Sequence, residues 1–220
     1  DTDRKASEAA FIDQIMHPAP SELIPLLTDA PKVEIPPVNL DVPAPLTGLF
    51  GAIVGDMVGV PHEHKSRTQN PEFEFRKEKW HCSDDSVLSA AVAQWQMGDR
   101  SIEDLDRQFT IWGYAHYTCG FGRAFKTWLD SREHIRRHAT SNGAAMRVTP
   151  VGIVANALEE GLFLADMQAR LTHNSDEAST GAQAVAVCVF LTRQGTSKAE
   201  IKQYIESTFG MNLDRSIGDL

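Results

Sequence analysis

Basic residues, cysteines and long apolar runs are all scarce in this chain of 220 residues, and each shortage excludes something. Lysine and arginine number 21 against 30 aspartates and glutamates. The resulting net charge of −9 argues against nucleic acid or an anionic membrane as a main partner. The three cysteines, Cys82, Cys119 and Cys188, are odd in number and widely spaced, with neither a disulfide framework nor zinc-ligand spacing. They read as the reduced thiols of a cytoplasmic protein. No early apolar segment marks a signal peptide, and the first residue is Asp1 rather than Met, as in a trimmed chain. The longest apolar stretch, 46–60, is too short to cross a bilayer and is interrupted by Asp56, so no membrane partner is expected. Long apolar–polar alternation and internal repeats are missing too, which leaves no pattern for an extended sheet or a solenoid.

What is present divides near residue 45. The segment 1–45 holds eight of the eleven prolines and eight acidic against three basic residues. A short helix is plausible over 7–16; after it the prolines forbid long helix and favour extended chain. Leu23, Ile24, Leu26, Leu27, Val33 and Ile35 make this arm too apolar for a solvated linker. It is expected to lie on its own domain or on a partner protein.

The rest, 46–220, reads as an all-α domain, an irregular orthogonal helical bundle with polar loops gathered at helix ends. In 46–60, Gly51, Gly55 and Gly59 recur at spacing four, which predicts close approach by a neighbouring helix and a central, buried position; Pro61 ends the run. Residues 65–79 read as a charged surface loop or short strand. Helices are expected over 87–97, stopped by Gly98, over 101–112 and over 123–135. Ser101 with Asp104 approximates a capping box. His134 and His138 bound a basic segment read as a solvated face, and 140–147 is a loop rich in turn residues. Further helices are expected over 150–168, over 176–193 capped by Ser175, and over 199–209, where Ser197 and Glu200 form a second box.

One stretch carries chemistry. Ser83, Asp84 and Asp85 immediately precede the apolar-periodic run 87–97, so two carboxylates and a hydroxyl fall at a helix N-terminus, where negative charge is favoured. Two readings fit: a helix cap, which satisfies free amides and needs no further purpose, or a site for one or two oxygen-liganded cations.

Five blocks in order extend the second reading. They are the glycine-spaced block 48–63 ending in Glu63, Ser83-Asp-Asp-Ser86, Gly120-Phe-Gly122, the loop Ser141-Asn-Gly-Ala-Ala-Met-Arg147, and Thr172-His-Asn174 followed by Gly181-Ala-Gln183. Together, over roughly 46–213, they resemble the ADP-ribosylglycohydrolase family, which includes the dinitrogenase reductase-activating glycohydrolases. The resemblance implies an all-α hydrolase that removes ADP-ribose from a modified protein, most readily from arginine, with two magnesium ions. It implies Ser83, Asp84 and Asp85 as metal ligands, serine replacing the family's threonine, and Glu63 with Asp85 as the catalytic carboxylates. It implies Gly120, Phe121, Gly122, Asn142, Gly143, Met146 and His173 as the residues around the substrate.

Two departures matter. The family completes its metal site with a late Gly-Gly-Asp-x-Asp-Thr block that this chain lacks; Asp214 and Asp219 do not match it. The chain is therefore expected to be a C-terminally incomplete piece of a longer enzyme, or a member without a full site. The arm 1–45 is an addition to the family pattern and resembles the N-terminal extensions of type VI secretion immunity hydrolases. That implies an alternative function, an immunity protein that occludes an ADP-ribosyltransferase toxin, with or without hydrolysis.

Overall fold

Side chains at helix ends account for most of the chain's punctuation. The computed structural model describes residues 44–63, 80–131, 134, 136 and 138–215. Among them lie eight α-helices, two 3-10 turns and no strand. Helix α1, Ala44–Gly59, runs into the turn Val60–His62, and α2 is Asp84–Met97. Then come α3, Ile102–Ala115, α4, Arg123–Asp130, and the turn Asn142–Ala144. Helices α5, Thr149–Val154, α6, Leu158–Thr172, α7, Asp176–Arg193, and α8, Lys198–Phe209, complete the order. The all-α class expected from the sequence is the class the chain adopts. No helix among the described residues is long and apolar enough to cross a membrane.

Ser83, Ser101, Ser175 and Ser197 each sit in extended backbone and accept a hydrogen bond from an N–H two or three residues on. Ser197 and Glu200 form a reciprocal box. Ser101 does not: its N–H donates to Asp99 Oδ1 at 2.8 Å, while Asp104 turns to Arg107 and Gln108. The box expected there is half made. At the far end of α8, Gly210 takes φ +67, a conformation open to a residue without Cβ.

The core is built around α2, whose Leu88, Ala91, Val92 and Trp95 are buried, with α3, α5 and α1 packed against the helix. Phe109, Phe125 and Trp128 fill one side with edge-on and stacked ring contacts. Helix α8 adds a smaller cluster, Ile205 against Ala184 and Val187 with Tyr204 and Phe209 around them.

Five expectations are corrected. Helix α1 is not central among the described residues: a Cβ added at Gly51, Gly55 or Gly59 meets nothing within 4 Å, and Phe50 and Val54 are exposed. Asp56 is tied to the start of α2, and the four glycines share one face of α1, along which only Gly48, at the start of the helix, has a neighbour among the described residues, Ile153. Helix α1 also begins at Ala44, inside the expected arm, because Pro45 is tolerated in a first turn. Helix α4 stops at Asp130, five residues early. Tyr114 donates to the Leu129 carbonyl at 2.9 Å, and His134, at φ +42, folds its ring over Trp128 and against Asp106. His134 is thus packed on the bundle, whereas His138 is exposed as expected. The helix expected over 150–168 is two, because the chain leaves helix at Ala155 and Glu160 reaches back to cap the Asn156 N–H at 2.7 Å. The helix expected over 7–16, nearly all of the arm 1–45, and the segment 65–79 lie outside the described residues.

Candidate active site

Ser83 begins α2 by accepting the Asp85 N–H at 3.3 Å, which places two acids in the first turn. Its hydroxyl hydrogen points the other way, to Asp56 Oδ1 of α1 at 2.6 Å. Asp56 Oδ2 accepts in addition from the Ser83 N–H at 2.9 Å, the Ser86 N–H at 3.2 Å and the Ser86 hydroxyl. One carboxylate therefore takes four donors from the start of α2. The cap and the acidic cluster are one structure, and the two sequence readings are not exclusive.

Glu63 follows the turn that closes α1. One carboxylate oxygen each from Asp56, Glu63 and Asp85 lie within 4.8 Å of one another. Burial raises the Asp84 carboxyl above the usual range, with repulsion from Glu63 and Asp56 adding to it. Burial does the same for Asp85, followed by repulsion from Asp84 and Asp56. This group of carboxylates, with Asp56 and Asp85 partly buried, Glu63 exposed and no sulfur or imidazole among the three, could hold a hard divalent cation. The residues present fit such an ion.

Asp84 connects the cluster to a cavity of about 180 Å³. Gly122 lines one wall; Asn142, Gly143 and Met146, with His173, line the other. The volume is below the roughly 300–1,000 Å³ of ordinary ligand pockets, so the described residues alone do not enclose a whole drug-sized molecule. Of the expected loop 120–122, Gly120 has φ +115 and its missing Cβ would stand 3.7 Å from Asp84 Oδ1. The Phe121 side chain lies in the core, its ring 4.7 Å from that of Phe125. Its backbone remains for a ligand, which is the part of the loop the resemblance called on. Cys119 beside this loop is pushed up to about 11 by burial and then by Asp84, which makes it a poor nucleophile.

Three residues of the site escaped the sequence reading. Asp56 was visible only as an acid interrupting an apolar run, a position where a charge needs a partner. Ser141 lines the cavity and touches His173 Nε2 at 3.0 Å. Arg147 is fully buried between Met146 and Val148, lies over the Phe109 ring at 4.2 Å and lines the same cavity. Burial lowers it to about 9, which leaves it charged at neutral pH. Its Nη1 has no hydrogen-bond partner among the described residues.

The model of the family described as ADP-ribosylglycohydrolase matches residues 46–216. The ADP-ribosylhydrolase ARH3 of Mus musculus is 24% identical over 193 residues, covering 74% of this chain and 52% of the relative. The chain thus spans about half the length of that curated relative.

Proposed function

The chain belongs to the ADP-ribosylglycohydrolase family, and from that premise we propose that it hydrolyses the bond between ADP-ribose and a protein side chain, arginine first, with two magnesium ions. The observation that carries this is the meeting of Asp56, Glu63 and Asp85 oxygens within 4.8 Å, joined through Asp84 to the cavity. Ser83, Asp84 and Asp85 would hold the ions with Glu63, while Asp56 keeps the Ser83 hydroxyl hydrogen turned away, so that the lone pair not used by the Asp85 N–H stays available. When bound, such ions supply Lewis-acid polarisation of the ribose hydroxyls. Gly122, Asn142, Gly143, Met146 and His173 border the bound ADP-ribose, and the N–H groups of loop 120–122 suit its diphosphate. Breaking the C1″–N bond passes through an oxocarbenium-like state, as in glycoside hydrolysis. Glu63 takes a proton from the attacking water, the hydroxide part adds at C1″ as the C1″–N bond breaks, and the proton on Glu63 passes to the departing guanidine nitrogen.

The test is release of ADP-ribose from an arginine-ADP-ribosylated protein by the full chain in magnesium. Asp85→Ala and EDTA are each expected to reduce release to background. Turnover that persists in both would refute the metal-dependent reading, and release from another linkage alone would refute the arginine assignment.

A second reading has its own observation: the family match begins at residue 46 and leaves the acidic, apolar, proline-rich arm outside it. An arm of that composition suits a protein partner, and an ADP-ribosyltransferase toxin is the partner whose product this enzyme would reverse.

A further inference from the structure

His173 and Ser141 touch, and nothing so far decides which of them donates. The answer lies on the other side of the ring. Arg147 donates from Nε to Gln168 Oε1 at 2.8 Å, and from Nη2 to the Gln168 carbonyl at 2.9 Å and to Thr172 Oγ1 at 2.7 Å. Thr172 Oγ1 is in turn 2.8 Å from His173 Nδ1. The guanidinium has only hydrogens to offer, so Thr172 accepts from it. The Thr172 hydroxyl hydrogen then has His173 Nδ1 as its acceptor; no other is found among the described residues, and Thr172 is only 4% exposed. Were Nδ1 protonated instead, Thr172 would accept twice and its own hydrogen would be buried without a partner.

We propose that Thr172 is a positioning residue of the cavity: held by Arg147, its hydroxyl fixes His173 as the Nε2–H tautomer, which leaves Ser141 as a hydrogen-bond donor to the ligand. With Nδ1 accepting, the neutral ring carries its proton on Nε2 and gives it to Ser141 Oγ at 3.0 Å. Ser141 begins the turn Asn142–Ala144 without spending its hydroxyl on a backbone cap, so its hydrogen is available to an acceptor in the cavity. The imidazolium, which would also donate from Nε2, is disfavoured: burial, then Arg147, lowers His173 to about 4. The ring lies close against Gly143, where an added Cβ would stand 2.7 Å from Nε2. The donor role of Ser141 rests on the cavity being the proposed ADP-ribose site; the tautomer does not.

The ring nitrogens of His173 are read by long-range ¹H–¹⁵N spectra of the full, ligand-free chain, assigned through loss of the signal in His173→Gln. The expected wild-type spectrum has a protonated Nε2 and a bare Nδ1. Thr172→Val is expected to mix or reverse the two, and Thr172→Ser to restore them. A protonated Nδ1 in the wild type overturns the proposal and needs no variant to be seen; a Thr172→Val spectrum identical to wild type overturns the part played by Thr172. Calorimetry with ADP-ribose in magnesium tests the other half. Ser141→Ala is expected to weaken binding roughly tenfold, the loss of one hydrogen bond of about 1.4 kcal/mol. Unchanged affinity overturns the donor role, and absence of any wild-type binding removes the functional reading together with that role while the tautomer result stands.

Discussion

Burial sets opposite demands on two titrating residues of the site, and each gives a prediction. His173 falls from 6.5 to about 4 in the folded chain, chiefly by burial. A depressed value in the folded state means that the neutral ring's contribution is fully present above 6.5 and is lost as pH falls through about 4. His173→Gln cannot take up that proton, so the decline of unfolding free energy between pH 6.5 and 4 should flatten in denaturant titrations. An unaltered slope would show that the ring is not the acid-sensitive group. Asp85 goes the other way. Burial and then Asp84 raise it above 3.8, so its contribution is present below that value and lost as pH rises through the folded one. In EDTA at pH 7, Asp85→Asn should therefore melt at a higher temperature than wild type, while losing the stabilisation that added magnesium gives. A lower melting temperature in EDTA would mean that the carboxylate serves the fold itself.

Two glycines separate a packed helix face from an open one at the scale of elements. On α5, a Cβ at Gly152 would stand 2.6 Å from Val189 Cβ, with the Ala186 carbonyl equally close, so α5 and α7 approach backbone to backbone. Gly152→Ala is expected to cost about 1–3 kcal/mol by overpacking. Gly51 on α1 meets nothing within 4 Å among the described residues, and Gly51→Ala should be neutral or stabilise by up to about 1 kcal/mol of helix propensity. Denaturant melts of the two variants check both signs. The sequence reading could not make this distinction, because the spacing of Gly51, Gly55 and Gly59 states that a face is small and not what meets it. Starts such as Ser83, Ser175 and Ser197 were legible because a cap acts within three residues. The end of α4 was not, since Tyr114 and His134 act on it from 16 and 4 residues away.

Taken as a whole, the molecule joins a helical domain matched to one family over 46–216 with a leader of different composition. Removal of 1–45 tests what the leader does: the immunity reading expects neutralisation of an ADP-ribosyltransferase to be lost while hydrolysis is kept, and unchanged neutralisation would eliminate it. The sequence by itself determined the helical class, most helix starts, the acids at the head of α2 and the ordered blocks that point to the family, because periodicity, caps and short motifs are local. Only the tertiary structure brought Asp56 across 27 residues to bind Ser83, turned the glycines of α1 outward, buried Arg147 beneath the cavity and moved the Phe121 ring into the core. Those outcomes depend on which surfaces of distant helices meet, and packing and charge compensation between segments are not encoded in any one of them.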